Sequence, residues 1–299
     1  MGKKPCVHDK VLVVGTTSDY IDWIQKAYPD RALFLTEPEI RELAKECSPD
    51  PEDEIVSGFN DATLLNKAVK NHLKKWNQKI TGVVCFDCES METASMLAAE
   101  YGADYPDIQS IKNCRDKYIS KQIWEENGVR CPSVCPVNSA EDAANFLTQC
   151  QKGIVLKPFC GSGSELVFHC RSQVECIRAF GTLKAGLEKR RQNRLFDHLF
   201  SEKYQMLAEA YIEGPEYSCD FIIDHKEVRI LRFSKKIKYR KQPFGTASGY
   251  ILFPALPDNL SRTGFETMLL NAGRSLGIKR AVCMVDFIME GYGPMLIEM

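Results

Sequence analysis

No apolar run in the 299-residue sequence reaches the roughly 18 residues a membrane-spanning helix requires, so no helical membrane segment is expected. Neither sign of charge is in excess. With 39 Lys and Arg against 40 Asp and Glu, no global field draws the chain to nucleic acid or to an anionic membrane. The dinucleotide fingerprint is missing too: Val14-Gly15-Thr16-Thr17-Ser18-Asp19 offers one glycine where that motif needs three. No Gly-Lys-Ser/Thr opens a helix after the later glycine loop, which excludes a P-loop there. The 13 cysteines supply no four-ligand zinc spacing. Cys85-Phe86-Asp87-Cys88 stands without a second pair, and reduced, buried thiols are expected instead. There is no internal repeat, and Met1-Gly2-Lys3-Lys4-Pro5 leads into a strand rather than a signal-peptide core. These absences leave a cytoplasmic globular chain whose partners are small molecules rather than nucleic acid or membrane.

What is present is an alternation of short apolar runs and helical periodicities. Lys10 to Gly15 reads as a strand buried on both faces of a parallel sheet. Ile21, Ile24, Ala27 and Tyr28 follow at helical spacing, with Ser18 or Asp19 as cap. Ala32–Leu35 (strand), Ile40–Cys47 (helix), Leu64–Trp76 (helix), Ile80–Phe86 (strand) and a helix ending at Gly102 continue the pattern. This predicts a small parallel α/β domain over residues 1–108. Its strand-end loops, Gly15–Ser18 and Asp87–Ser90, are candidates for part of a substrate site, though helix capping explains their Ser, Thr and Asp equally well.

Beyond Tyr105-Pro106-Asp107 strands dominate. A helix is expected over Asn113–Asn127, an extended segment over Val129–Val137, a helix over Ala140–Gln151 and a strand over Gly153–Pro158. The basic run Lys184 to Arg194 reads as a solvated helix face. Lys157 precedes Cys160-Gly161-Ser162-Gly163-Ser164, which puts a cation before a small-residue loop whose amides can fold over phosphates; a hairpin turn accounts for the loop alone as well. Near the end, Val282–Ile288 and Met295–Ile297 read as a hairpin in which each strand brings one carboxylate, Asp286 and Glu298. Paired carboxylates suit a hard cation shared with phosphates, and equally suit two exposed edge charges.

Taken with Lys117 and the segment Met206 to Asp220, this ordered series resembles the ATP-grasp superfamily over residues 110 to 299. Within it, carbamoyl phosphate synthetase large-subunit halves and free-standing carboxylate-amine (amino-acid) ligases are the most similar in pattern. The resemblance implies α/β followed by α+β: a Rossmann-like domain that goes before ATP-grasp, then a two-subdomain ATP-grasp fold over 109–299, with a small lid over about 125–205 and a large subdomain from about 206. It implies ATP bound with Mg²⁺ or Mn²⁺. Lys117 and Lys157 would contact phosphates, and Gly161, Ser162, Gly163 and Ser164 would close over them. Glu209, Ala210, Tyr211 and Ile212 would form the hinge at the adenine edge, Glu216 would accept from the ribose, and Asp286 and Glu298 would hold the metal. A basic residue facing the γ-phosphate or acyl group is expected among Lys236, Lys238 and Arg240; Arg240 is the choice, and the two lysines read as surface charge. The implied chemistry joins a small, amino-acid-like carboxylate to an amine through an acylphosphate; the rival is a nucleotide-binding module without turnover. The family pattern continues with Asn-Pro-Arg where this chain has Met299, so truncation within the metal motif is expected. A homodimer is left open.

Overall fold

In a computed structural model, residues 7–193, 195–196, 199, 205–238, 243–257, 260–291 and 293–299 are described. The chain divides into two compact units, Met1–Ile111 and Lys112–Met299.

The first unit alternates strand and helix: β1 (His8–Val14), α1 (Ser18–Ala27), β2 (Ala32–Thr36), α2 (Pro38–Glu42), β3 (Glu54–Val56), α3 (Ala62–Trp76), β4 (Gln78–Cys85) and α4 (Met91–Tyr101). The four strands form one parallel sheet in the order β3-β2-β1-β4. Leu12, Val14, Leu33 and Leu35 are buried on it against Leu65, Val69, Ala94 and Leu97 of α3 and α4. The continuous apolar runs reflect this double-sided cover. Asp61 caps α3 by accepting from the Thr63 and Leu64 amides, and Asn77 ends it in the left-handed conformation. The second helix is shorter than the expected Ile40–Cys47, because the periodic residues there are too few to bury a face: none of its side chains is buried.

A helix α5 (Ile108–Arg115) leads into the second unit, where one helix was expected over Asn113–Asn127 and two occur. Asp116 breaks them, since its carboxylate caps α6 (Lys117–Glu126) by accepting from the Tyr118 and Ile119 amides. There follow β5 (Val134–Val137), α7 (Ala140–Leu147), β6 (Ile154–Pro158), β7 (Phe168–Cys170), α8 (Gln173–Glu188), β8 (Met206–Ala210), β9 (Glu216–Asp224), β10 (Glu227–Ile237), β11 (Gly249–Phe253), α9 (Arg262–Ser275), β12 (Arg280–Glu290) and β13 (Gly293–Glu298). They build two sheets, β5-β8-β6-β7 and β11-β10-β9-β12-β13, antiparallel throughout. β8 lies inside the first of these. Its partners are Val134–Val137 and Ile154–Pro158, distant in sequence, and local pattern does not carry that pairing.

Side-chain alternation sorts the five-stranded sheet into two faces. Tyr217, Cys219, Phe221, Phe233, Val285, Phe287 and Leu296 bury on one face against Phe265, Leu269 and Ala272 of α9, with the Phe265 and Phe287 rings 4.9 Å apart. Each such aromatic contributes roughly 1.5–3 kcal/mol by burial. Because the period is two, the opposite face presents Glu216, Lys236 and Asp286.

Candidate active site

The side chains singled out by the sequence lie on α6 and on strands of the two antiparallel sheets. Lys117 opens α6, and its amide donates to the Phe159 carbonyl (2.9 Å) just past the end of β6. Its ammonium donates to the Gly161 carbonyl (3.0 Å) and pairs with Glu298 at 3.0 Å. One helical turn on, Lys121 is almost wholly buried; it pairs with Glu209 at 2.9 Å and donates to the Ile297 carbonyl at 2.5 Å. Lys157 reaches the same Glu209 oxygen at 2.9 Å from β6. The structure thus brings together Lys117, Lys157, Glu209 and Glu298 and adds Lys121, which sequence reasoning passed over. The signal was available: Lys117 and Lys121 are four apart on a helix, and hence on one face.

Charge in this cluster is set by burial and neighbours. Burial alone would raise the Glu209 carboxyl, but the Lys121 and Lys157 ammoniums outweigh it and hold Glu209 below its ordinary range. Burial pushes Lys157 down to about 8, partly opposed by Glu209 and reinforced by Lys121. For Glu298, burial is overcome by Lys117 and Lys157, which bring it to about 2.

A second cluster lies on the open face of the five-stranded sheet. Lys236 is buried between Glu216, at 2.9 Å, and Asp286, with which it also hydrogen bonds; Lys238 pairs with the other Glu216 oxygen. The reading of Lys236 as surface charge is therefore wrong. It faces inward because it stands two residues from buried Ser234 on β10, and both lie on the face of Glu216. Two carboxylates raise the Lys236 ammonium above its ordinary range despite burial. Asp286 is pushed up to about 6 by burial, with Glu298 adding to the rise and Lys236 opposing it. Asp286 and Glu298 are paired in register across β12 and β13, and the Asp286 Oδ1 atom is buried with no hydrogen-bond partner. Arg240 lies outside the described residues.

The glycine loop leaves β6 with Gly161 at φ +145° and Gly163 at +64°, conformations that favour glycine. It ends on Ser164, whose hydroxyl donates to the Gly245 carbonyl (2.9 Å) of the segment between β10 and β11. Along the hinge, the Ala210 and Tyr211 amides donate to the Ser133 and Gly153 carbonyls (2.9 and 3.0 Å). The Tyr211 ring stacks on His169 at 3.9 Å, with Phe244 at 5.2 Å from His169. Among the described residues every cysteine is a free thiol, no three His, Cys, Asp or Glu gather into a metal cluster, and no helix is long and apolar enough to cross a membrane.

Residues 150–299 match the ATP-grasp domain family. Among solved structures, the L-amino acid ligase from Bacillus licheniformis superposes with a TM-score of 0.69 at 17% identity, covering 98% of this chain and 66% of the ligase. The biotin carboxylase domain of the 2-oxoglutarate carboxylase from Hydrogenobacter thermophilus, in complex with MgADP, ADP and bicarbonate, gives a TM-score of 0.68 at 20% identity, covering 97% of this chain and 63% of that one. The ADP complex of the N5-carboxyaminoimidazole ribonucleotide synthetase purK gives 0.68 at 14%, covering 100% and 71%. At such identities the likeness establishes the fold: a mixed α/β architecture with a parallel first sheet and antiparallel sheets after it. An uncharacterized protein of Sinorhizobium fredii, y4rH, is 25% identical over 145 residues, which is 48% of this chain and 28% of y4rH. The chain thus spans less than two thirds of the length of y4rH and of the ligase.

Proposed function

The chain belongs to the ATP-grasp family, and from that premise we propose that it is an ATP- and Mg²⁺-dependent carboxylate-amine ligase acting on a small, amino-acid-like substrate, in the manner of carbamoyl phosphate synthetase. The observation that carries this reading is the convergence of three lysines and two in-register carboxylates between the two antiparallel sheets. Phosphoryl transfer asks a protein mainly for positioning and for compensation of spreading negative charge, and this site is built from groups that do both.

The metal fits the residues present. The Asp286 Oδ1 atom is buried and without a hydrogen-bond partner, and both Asp286 and Glu298 are oxygen donors, as a hard cation prefers. Two carboxylates are the usual protein share when phosphates and water complete an octahedral shell. When bound, Mg²⁺ would neutralise phosphate charge and align the γ-phosphate.

The side chains then divide the work. Lys157, with its ammonium already desolvated, binds the α- and β-phosphates. Lys117 holds the loop carbonyl of Gly161 and turns toward phosphate, and Gly161–Ser164 closes over the chain of phosphates through its amides. The Ala210 and Tyr211 amides donate to Ser133 and Gly153, and Ile212, next along the hinge, would offer its amide to the adenine edge. Glu216 accepts from the ribose hydroxyls, and Lys236, like Arg240, is placed in sequence to face the γ-phosphate or the acyl group. Attack of a substrate carboxylate on the γ-phosphate gives an acylphosphate and ADP. An amine then displaces phosphate, and no side-chain nucleophile is required. The protein works in the cytoplasm.

The test is nucleotide binding and turnover. Lys157→Ala is expected to weaken ATP binding by at least about a hundredfold in calorimetry, and unchanged affinity would refute the assignment. Phosphate release stimulated by particular members of a panel of carboxylates and amines establishes ligation. Flat release across that panel, with ATP still bound, would identify a nucleotide-binding module instead.

A further inference from the structure

Lys121 is held more deeply than Lys157 and Lys117, its companions at the site: its side chain is 1% exposed, against 5% and 13% for theirs. The helix sets this position, since α6 turns Ser120, Lys121 and Trp124 inward. The Lys121 ammonium is committed within the protein, to the Glu209 Oε2 atom at 2.9 Å and to the Ile297 carbonyl at 2.5 Å. Lys157 reaches the same Glu209 oxygen at 2.9 Å and, among the described residues, donates to no carbonyl. Two ammoniums on one carboxylate oxygen are one more than neutrality asks. Stability does not account for the surplus, because apolar side chains of similar volume commonly replace buried ion clusters without loss. A second cation has a use if one of the two leaves the carboxylate when a ligand binds. Lys157 is the one placed to leave: it stands near the end of β6, where the glycine loop begins, whereas Lys121 has its second anchor on β13.

We propose that Lys121 is a positioning residue for the phosphate contact: it keeps Glu209 paired while Lys157 turns to a phosphate of ATP, so that binding does not leave a carboxylate bare in the interior. The inference rests on the reading of Lys157 as a phosphate contact. Removing one partner of a buried ion pair is strongly unfavourable, because the other charge is left without compensation. With Lys121 in place, Lys157 moves from one anion to another and Glu209 keeps an ammonium at 2.9 Å. Without Lys121, Glu209 would draw the Lys157 ammonium back and oppose every phosphate contact it makes. The cation that stays is also fixed to the residue beside Glu298, which anchors it on the strand bearing a proposed metal ligand.

Calorimetric titration of the intact chain with ATP and Mg²⁺ tests this. Lys121→Met keeps a similar volume and leaves the Lys157–Glu209 pair whole, and it should weaken ATP binding about a hundredfold, the factor that corresponds to stripping a buried carboxylate of its partner. The double variant Lys121→Met/Glu209→Gln removes the carboxylate that would be stripped. It should bind ATP within about tenfold of the wild type, a recovery that a merely structural lysine would not show. If Lys121→Met fails to fold in urea titrations, the double variant decides alone by the same criterion. A wild type that does not bind ATP, or whose affinity is indifferent to Lys157→Ala, would refute the nucleotide site itself. Affinity that depends on Lys157 yet is unchanged in Lys121→Met, or a loss that the double variant does not recover, would overturn the role of Lys121 alone.

Discussion

Two buried ion clusters face the same interior, and they are built inversely. On the β6 and β8 side, one carboxylate, Glu209, lies between two ammoniums, Lys121 and Lys157. On the β10 and β12 side, one ammonium, Lys236, lies between two carboxylates, Glu216 and Asp286. The consequence appears in the central and flanking groups. Glu209 is held charged by its two cations, while Lys157 is pushed down; Lys236 is held charged by its two anions, while Asp286 is pushed up. Each cluster therefore keeps its centre and strains its flank toward neutrality. A nucleotide would relieve the first flank with phosphate, and a cation would relieve the second. The inversion marks Lys157 and Asp286 as two groups whose strain a bound ligand would relieve.

The sharpest way to break the comparison is at the centre of the cationic cluster. Glu209→Gln leaves two buried ammoniums facing one another and is expected to cost about 3–5 kcal/mol of stability, read from urea unfolding. A loss under about 1 kcal/mol would mean that the cluster is solvated and the contrast unreal.

The second test falls on the flank of the anionic cluster and has the opposite sign. Asp286→Asn keeps the Lys236–Glu216 pair and removes a strained carboxylate, so stability at neutral pH should hold or rise. Mn²⁺ affinity measured with nucleotide should meanwhile fall by at least the 10–100-fold that lesser positions around metals cost. The two variants also separate by pH. A carboxyl raised from 3.8 to about 6 binds its proton more tightly in the folded chain than in the unfolded one, so stability falls as pH rises across that window. Asp286→Asn should flatten that slope. Glu298, lowered to about 2, acts the other way: its contribution is complete above pH 4.5 and is lost as pH falls toward 2. Unfolding midpoints measured between pH 3 and 7 for wild type and variant distinguish the two.

The smallest effect is expected where the anionic cluster reaches solvent. The Lys238 side chain is 37% exposed, and Lys238→Ala should change stability by less than about 1 kcal/mol in the same assay. A larger loss would extend the buried cluster out to Lys238.

Much of this arrangement was legible from residue order. The alternation of strand and helix predicted the parallel sheet because each buried strand is a continuous apolar run. The hairpin carrying Asp286 and Glu298 was readable as two strands around a glycine-rich turn, and in-register pairing brings those carboxylates together. What escaped was long-range. The pairing of β8 with β5 and β6 joins segments some fifty to seventy residues apart, and with it comes the inward direction of Glu209, which was taken as part of a hinge read through its backbone. Lys236 escaped because lysine is assigned to surfaces by default; only the face it shares with Ser234, and the Glu216 on the neighbouring strand, reveal its ammonium turned inward.

Lys117 fastens the glycine loop twice, by its amide to Phe159 before the loop and by its ammonium to Gly161 within it, and the far end touches down where Ser164 meets Gly245. Mechanically, the loop is a beam clamped at its root and resting at its tip. The stiffness of such a beam is set at the clamp. Replacing Lys117 would accordingly remove a positive charge and also release the root of the loop.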